Sequence, residues 1–169
     1  FKRKATCTDE EGIMFPDNDE RAIFFAKGVV ETVKKLNWVP DIIHVHGWMA
    51  AMLPIYMKHF YKNEALFSDT KIVTSVYGQS FEGTLDVEMI NKVKFDGVPN
   101  EAVLDMKSPD YEGIMKASIN HSDAVIIASE NLSSSLTKFI ESSGKPFLPF
   151  APKDKFAEAY VDFYKSSVL

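Results

Sequence analysis

The chain has 169 residues, of which 46% are hydrophobic, and its 19 basic and 24 acidic residues give a net charge of −5. This length and composition fit one globular domain and exclude overall disorder, and the mixed charge pattern gives no indication of nucleic-acid binding. The lone Cys7 excludes an internal disulfide and favours a cytoplasmic location. Charges interrupt the apolar runs well before the ~20 residues of a membrane span, so we expect a soluble chain.

Strand and helix patterns alternate along the chain. Apolar residues at helical spacing indicate helices, and short runs rich in β-branched residues indicate strands. The predicted helices cover residues 22–36, 48–61, 111–120, 130–142 and 153–165, and the predicted strands cover residues 42–46, 71–77 and 124–128. A Pro-rich turn at residues 145–149 introduces the last helix. This alternation predicts an α/β fold, a parallel sheet with helices on both faces.

Two long segments carry no periodic pattern, residues 78–86 and residues 97–109. The first directly follows the predicted strand at residues 71–77. Ligands of open α/β sheets bind at the carboxyl ends of the strands, so we expect the functional residues in these loops.

Two histidines, His44 and His46, lie two residues apart on a predicted strand and therefore on one face of the sheet. They offer two nitrogens to a metal ion, but a metal site needs a third and usually a fourth ligand. The other histidines, His59 and His121, lie in a helical pattern and just before a strand. The favoured interpretation is that His44 packs within the sheet, while His46 hydrogen-bonds a loop or lines a cleft.

The loop that begins at Gly78 allows two interpretations. Residues 78–82 (GQSFE) partly match the G-x-S-x-G turn of serine hydrolases, but Glu82 occupies the second glycine position. The favoured alternative is a glycine-containing loop that approaches a ligand closely. Four aromatic residues could each stack on a sugar ring, but aromatic residues beside proline or inside apolar runs more often belong to the core, which is the favoured interpretation. These residues are Trp38, Trp48, Tyr77 and Phe81. The chain contains no phosphate-binding glycine motif.

Several motifs in order resemble the glycogen and starch synthase family of bacteria. Residues 17–25 (DNDERAIFF) resemble the family's DNxERFxxF, and residues 38–48 (WVPDIIHVHGW) resemble WxPDxIHxHDW. Residues 53–58 (LPIYMK) and 73–83 (VTSVYGQSFEG) are similar to LPxYLK and VFTIHNxxYQG, and shorter elements follow to about residue 129. Several ordered motifs are far more specific than any single one.

This resemblance implies a GT-B glycosyltransferase, in which two Rossmann-like domains face each other across a cleft. It implies transfer of glucose from ADP-glucose to an α-glucan, without a metal ion or a cofactor. The chain would be one partial domain over residues 1–169, with the upstream strands and the second domain outside it, so that this segment alone would be inactive. The predicted substrate-binding residues are His46, Trp48, Tyr77, Gly78, Gln79 and Gly83; no catalytic residue is assigned.

Two departures from the family motifs concern the same region. Gly47 stands where the family has an acid, and Tyr77-Gly78 replaces its His-Asn pair. A phenol with an ordinary pKa of ~10 does not replace an imidazole of ~6.5 as a proton carrier. A non-catalytic relative that binds glycan or a partner subunit is therefore the second hypothesis, and a metal-dependent hydrolase that uses His44 and His46 is the third. We also expect an open sheet edge, covered by upstream residues, a second subunit or an oligomer.

Overall fold

A four-stranded parallel sheet forms the centre of the protein in the computed structural model, which describes Arg3 and residues 5–169. The strands are β1 (Ile42–His46), β2 (Lys71–Val76), β3 (Ala124–Ile127) and β4 (Phe147–Leu148), and their order in the sheet is that of the sequence. The two-residue strand β4 lies in the segment that the sequence predicts as a turn. It pairs Phe147 with Val125 and Leu148 with Ile126.

Six α-helices in the described part of the chain connect or flank these strands. They are α1 (Asn18–Lys35), α2 (Met52–His59), α3 (Met89–Phe95), α4 (Tyr111–Asn120), α5 (Ser134–Ser142) and α6 (Phe156–Phe163). The predicted helix at residues 48–61 is divided into a 3-10 turn, Trp48–Ala50, and α2. Helix α5 begins four residues later than predicted, at the point where the Ser133 hydroxyl caps the amide of Leu136. The loop at residues 97–109 contains a 3-10 helix, Asn100–Lys107.

The alternation of residues along the strands places two separate cores on the two faces of the sheet. Val45, Ile72 and Val76 face the larger core, which is completed by α1 to α5. Val73 and Ile126 point to the other face, where α6 and the π-helical turn Tyr164–Val168 cover them. The structure thus confirms the predicted parallel sheet with helices on both faces.

Strand β1 forms one edge of this sheet. It pairs with β2 on one side, and no strand among the described residues pairs with its other side. The exposed edge that the sequence predicts is therefore present at Ile42–His46. Within the described part of the chain, no helix has both the length and the apolar character needed to cross a membrane.

Candidate functional site

A cavity of about 740 Å³, the main cleft, opens at the carboxyl ends of β1 and β2. Gly47 and Trp48 follow β1, and the loop after β2 contributes Tyr77 and Gln79 to the lining. The ring of Trp48 packs edge-on against Phe81 at 4.9 Å between centroids. The site therefore lies where two neighbouring parallel strands end, as expected for an open α/β sheet.

The opposite wall of the main cleft comes from the N-terminal segment. An isolated antiparallel β-bridge joins Thr8 to Met14. Inside this turn the Asp9 carboxylate accepts hydrogen bonds from the backbone amides of Glu11 and Ile13. The lining residues of this wall are Cys7, Thr8, Gly12, Ile13 and Met14. No motif in the sequence marks this segment, because its position depends on contacts with α1 rather than on its own pattern.

Two contacts fix the loop that follows β2. A methyl group at Gly78 would lie 2.5 Å from the backbone oxygen of Asn131, so the loop touches the segment after β3 directly. The Tyr111 hydroxyl, at the start of α4, donates a hydrogen bond to the carbonyl of Tyr77. Gly78 therefore packs against the segment after β3 and does not line the main cleft.

His46 and Tyr77 form a hydrogen-bonded pair at the strand ends. The imidazole Nδ1 of His46 lies 2.8 Å from the hydroxyl oxygen of Tyr77. Burial lowers the pKa of His46 and raises the pKa of Tyr77, so both groups are neutral at neutral pH. The pair offers neutral hydrogen-bonding groups, which suit the hydroxyls of an uncharged ligand better than a phosphate.

His44 is held within the sheet by two hydrogen bonds. Its Nε2 lies 2.7 Å from the Ser75 hydroxyl and its Nδ1 lies 2.6 Å from the Tyr164 hydroxyl, so both ring nitrogens are occupied. The rings of His44 and His46 are 3.9 Å apart. Among the described residues, no three side chains of His, Cys, Asp or Glu converge to hold a metal ion. The geometry therefore favours packing within the sheet for His44 over metal ligation.

The burial of His44 has a consequence for stability. Desolvation, with a smaller contribution from His46, lowers the pKa of His44 from 6.5 to about 4. The unfolded chain then binds more protons than the folded one between these values, so we expect the free energy of unfolding to fall as the pH falls from 6.5 towards 4. Urea unfolding at several pH values measures this. A His44→Gln variant should show a shallower slope, and an equal slope would contradict the assignment.

Gly47 has a backbone conformation that other residues rarely adopt. Its φ is +69° and its ψ is 177°, a combination accessible almost only to glycine. A side chain would meet no atom within 4 Å, so the constraint comes from the backbone and not from space. The glycine at the family's acid position is thus matched to its local geometry.

Restoring the acid at this position should destabilise the fold. We expect Gly47→Asp to lower the free energy of unfolding by about 1–3 kcal/mol, because a side chain strains this backbone conformation. Gly47→Ala is the matched control and should cost a similar amount, since it introduces the strain without the carboxylate. Chemical denaturation measures both variants, and wild-type stability of either would contradict the expectation.

The structure brings together only some of the predicted site residues. Trp48, Tyr77 and Gln79 line the main cleft, whereas Gly78 packs beneath the loop and Gly83 forms a turn at φ +76° without lining the cavity. Trp38 lies in an apolar groove along α1 and does not line the main cleft.

His46 lines a second cavity of about 360 Å³, the tail cavity, next to the main cleft. Tyr77 lines both cavities. The C-terminal segment completes the tail cavity with Phe150, Lys153, Phe156 and Tyr160. No motif predicted these residues as part of a site, although Phe156 and Tyr160 lie on one helical face at a spacing of four residues.

A parallel sheet with helices on both faces and a ligand-sized cleft at its strand ends defines a Rossmann-like domain. Its fold is similar to the catalytic domain of starch synthase IV from Arabidopsis thaliana, solved bound to ADP and acarbose, with a TM-score of 0.61 and 17% identity. The similarity covers 84% of this chain and 32% of that one. The fold is therefore that of part of a starch synthase catalytic domain. A family model described as the starch synthase catalytic domain matches residues 1–144, and the chain belongs to that family.

Glycogen synthases are among the most similar relatives. That of Elusimicrobium minutum is 35% identical over 72% of this chain and 25% of its own length, and that of Clostridium perfringens is 34% identical over 68% and 24%. The glycogen synthase of Chlorobium limicola is 40% identical over 55% and 19%. The predicted family is confirmed, and the matches span about a quarter or less of the length of these relatives.

Proposed function

We propose that this chain forms the glucan-side wall of the cleft of a glycosyltransferase that transfers glucose from ADP-glucose to an α-glucan in the cytoplasm. The main cleft carries this proposal, because Trp48, Tyr77 and Gln79 line it and also lie in the segments that match the family motifs. The indole of Trp48 offers an apolar surface to a sugar ring, and the tyrosine hydroxyl and the glutamine amide suit its hydroxyl groups.

The charge of the main cleft indicates what this chain does not supply. Glu82 supplies the one carboxylate among the described lining residues, and they include no Lys or Arg. We therefore assign stabilisation of the leaving diphosphate to residues outside this lining, on other polypeptide, and loss of one such contact costs ~10² to 10³ in rate. The segment alone is then inactive.

The proposed reaction uses no metal ion, so chelation by EDTA should leave the activity unchanged.

Incorporation of labelled glucose into glycogen tests the transfer. The full-length protein that contains this chain should incorporate glucose from ADP-glucose, and Trp48→Ala should reduce the incorporation. Phe95→Ala is the control, since this side chain on α3 is 93% exposed and does not line the main cleft. Absence of incorporation from ADP-glucose and from other nucleotide sugars would reject the proposal.

Gly47 and Tyr77 favour a second candidate, a relative that binds glycan without transferring glucose. Gly47 supplies no carboxylate where the family motif has an acid. Tyr77 stands where the motif has an imidazole, and its raised pKa keeps the phenol neutral. Calorimetry with maltooligosaccharides and with ADP-glucose separates the candidates. Glycan binding without nucleotide binding or transfer supports the second candidate, and nucleotide binding with transfer supports the first.

A further inference from the structure

The tail cavity is built by two parts of the chain with different relations to the family. His46, Tyr77, Ile127 and Ala128, at the ends of β1 to β3, form its floor. The other wall is made by residues 150–160, which lie beyond the family match that ends at residue 144. Nothing in the family match therefore assigns a role to this wall.

Aromatic rings dominate the wall formed by the C-terminal segment. Phe150 and Phe156 line the tail cavity and are 41% and 45% exposed, whereas large aromatic side chains are usually well buried. Phe156 and Tyr160 pack edge-to-face with 5.6 Å between their centroids. Partly exposed rings that line a concave site provide apolar surfaces for a planar or ring-shaped ligand.

The polar groups of the tail cavity are suited to an uncharged ligand with hydroxyl groups. His46 and Tyr77 are hydrogen-bonded to each other, and their shifted pKa values leave both neutral. Lys153 is the one permanently charged side chain among the described lining residues. Such a lining provides hydrogen bonds without the several cations or backbone amides that a diphosphate requires.

The size and position of the tail cavity limit which ligands it can bind. A volume of about 360 Å³ is near the lower end of the ~300–1,000 Å³ range of small-molecule sites, which favours one or two sugar rings over a nucleotide sugar. Tyr77 lines both cavities, so a chain of sugar rings in the main cleft can continue past its phenol into the tail cavity.

We propose that the tail cavity binds one or two glucosyl rings of an α-glucan by stacking on Phe150 and Phe156. The hydroxyls of the same rings bond to Lys153 and to the His46–Tyr77 pair. The choice of an α-glucan rests on the proposed function, whereas the site itself rests on the rings and the neutral polar groups.

Calorimetry with maltotriose on the full-length protein tests this site. A Phe150→Leu/Phe156→Leu variant keeps apolar bulk and removes both rings, and we expect its Kd for maltotriose to rise at least about tenfold. Phe156→Tyr retains a ring and should preserve the affinity. Phe95→Leu, an exposed ring on α3, is the matched control and should change nothing, and circular dichroism checks the fold of all variants.

The outcomes separate this site from the proposed transfer reaction. Unchanged maltotriose affinity in the double variant, or no binding by the wild-type protein, overturns the site. Weakened ADP binding with normal maltotriose binding also overturns it, because the cavity would then be a nucleotide site. If the double variant loses maltotriose affinity while the wild-type protein transfers no glucose, the site stands and the transfer reaction is rejected.

Discussion

Replacement of Lys92 by methionine is expected to lower the free energy of unfolding by about 3 kcal/mol, the lower end for a broken buried ion pair. The Lys92 ammonium lies 2.7 Å from Asp19, 2.9 Å from Glu20 and 3.3 Å from Asp86, and Asp19 is 1% exposed. The Asp19 hydrogen bond is the main reason that the pKa of Lys92 is raised. Without the ammonium, a buried carboxylate at the start of α1 loses its cation, and one of its oxygens already has no hydrogen-bond partner among the described residues.

Two further variants decide whether the buried charge is the cause. Asp19→Asn combined with Lys92→Met should regain part of the lost stability, because no unpaired charge is then buried. Lys116→Met is the matched control, since its partner Glu112 is 36% exposed whereas Asp19 is fully buried, and ion pairs with a solvated carboxylate contribute about 0–1 kcal/mol. Urea unfolding measures all three, and equal losses for Lys92→Met and Lys116→Met would contradict the prediction.

Substitution of Gly78 by alanine is expected to cost about 1–3 kcal/mol and to weaken ligand binding in the main cleft. The new methyl group would lie 2.5 Å from the oxygen and 3.2 Å from the carbon of the Asn131 carbonyl, and both are backbone atoms that cannot rotate away. The loop after β2 must therefore move, and Tyr77 and Gln79 move with it. Thermal or urea unfolding and maltotriose calorimetry measure the two effects.

The same substitution at Gly28 is the control, and we expect it to raise rather than lower the free energy of unfolding. Gly28 lies inside α1, and a methyl group there would meet nothing within 4 Å. Gly28→Ala should stabilise the protein by about 0.5–1 kcal/mol, because alanine loses less conformational entropy in a helix than glycine does. A comparable loss of stability in both alanine variants would show that steric contact at Gly78 is not the cause.

Strands β1 to β3 were predictable because each is a short run of neighbouring apolar and β-branched residues, whereas β4 has only two residues and was predicted as a turn. Residues 42–46 carry β-branched and apolar side chains between Pro40 and Gly47, and the predicted bounds of this strand agree with β1. Helix α4 is likewise predicted at its observed bounds, where Asp110 caps the amide of Gly113. Helix α3 was missed, because only Met89 and Val93 are buried in its seven residues and two positions do not establish a helical period.

The candidate site was only partly predictable. Trp48, Tyr77 and Gln79 follow strand ends, and this position places them near one another when the two strands are neighbours in a parallel sheet, as β1 and β2 are. The contact between Gly78 and Asn131 joins residues 53 positions apart, and no local pattern specifies it. The His46–Tyr77 hydrogen bond depends on the register that pairs His46 with Ser75 and so brings Tyr77 to the same face.

The sequence by itself determined the family, the alternation of strands and helices, and the edge of the sheet at which the main cleft lies. These features follow from short motifs and from side-chain periodicity, which depend only on residues close together in the sequence. Only the tertiary structure decided that the N-terminal turn forms a wall of the main cleft, and that the C-terminal aromatic residues enclose a second cavity beside it. These arrangements depend on which distant segments pack together, because burial across the whole domain, rather than local propensity, fixes where such segments lie.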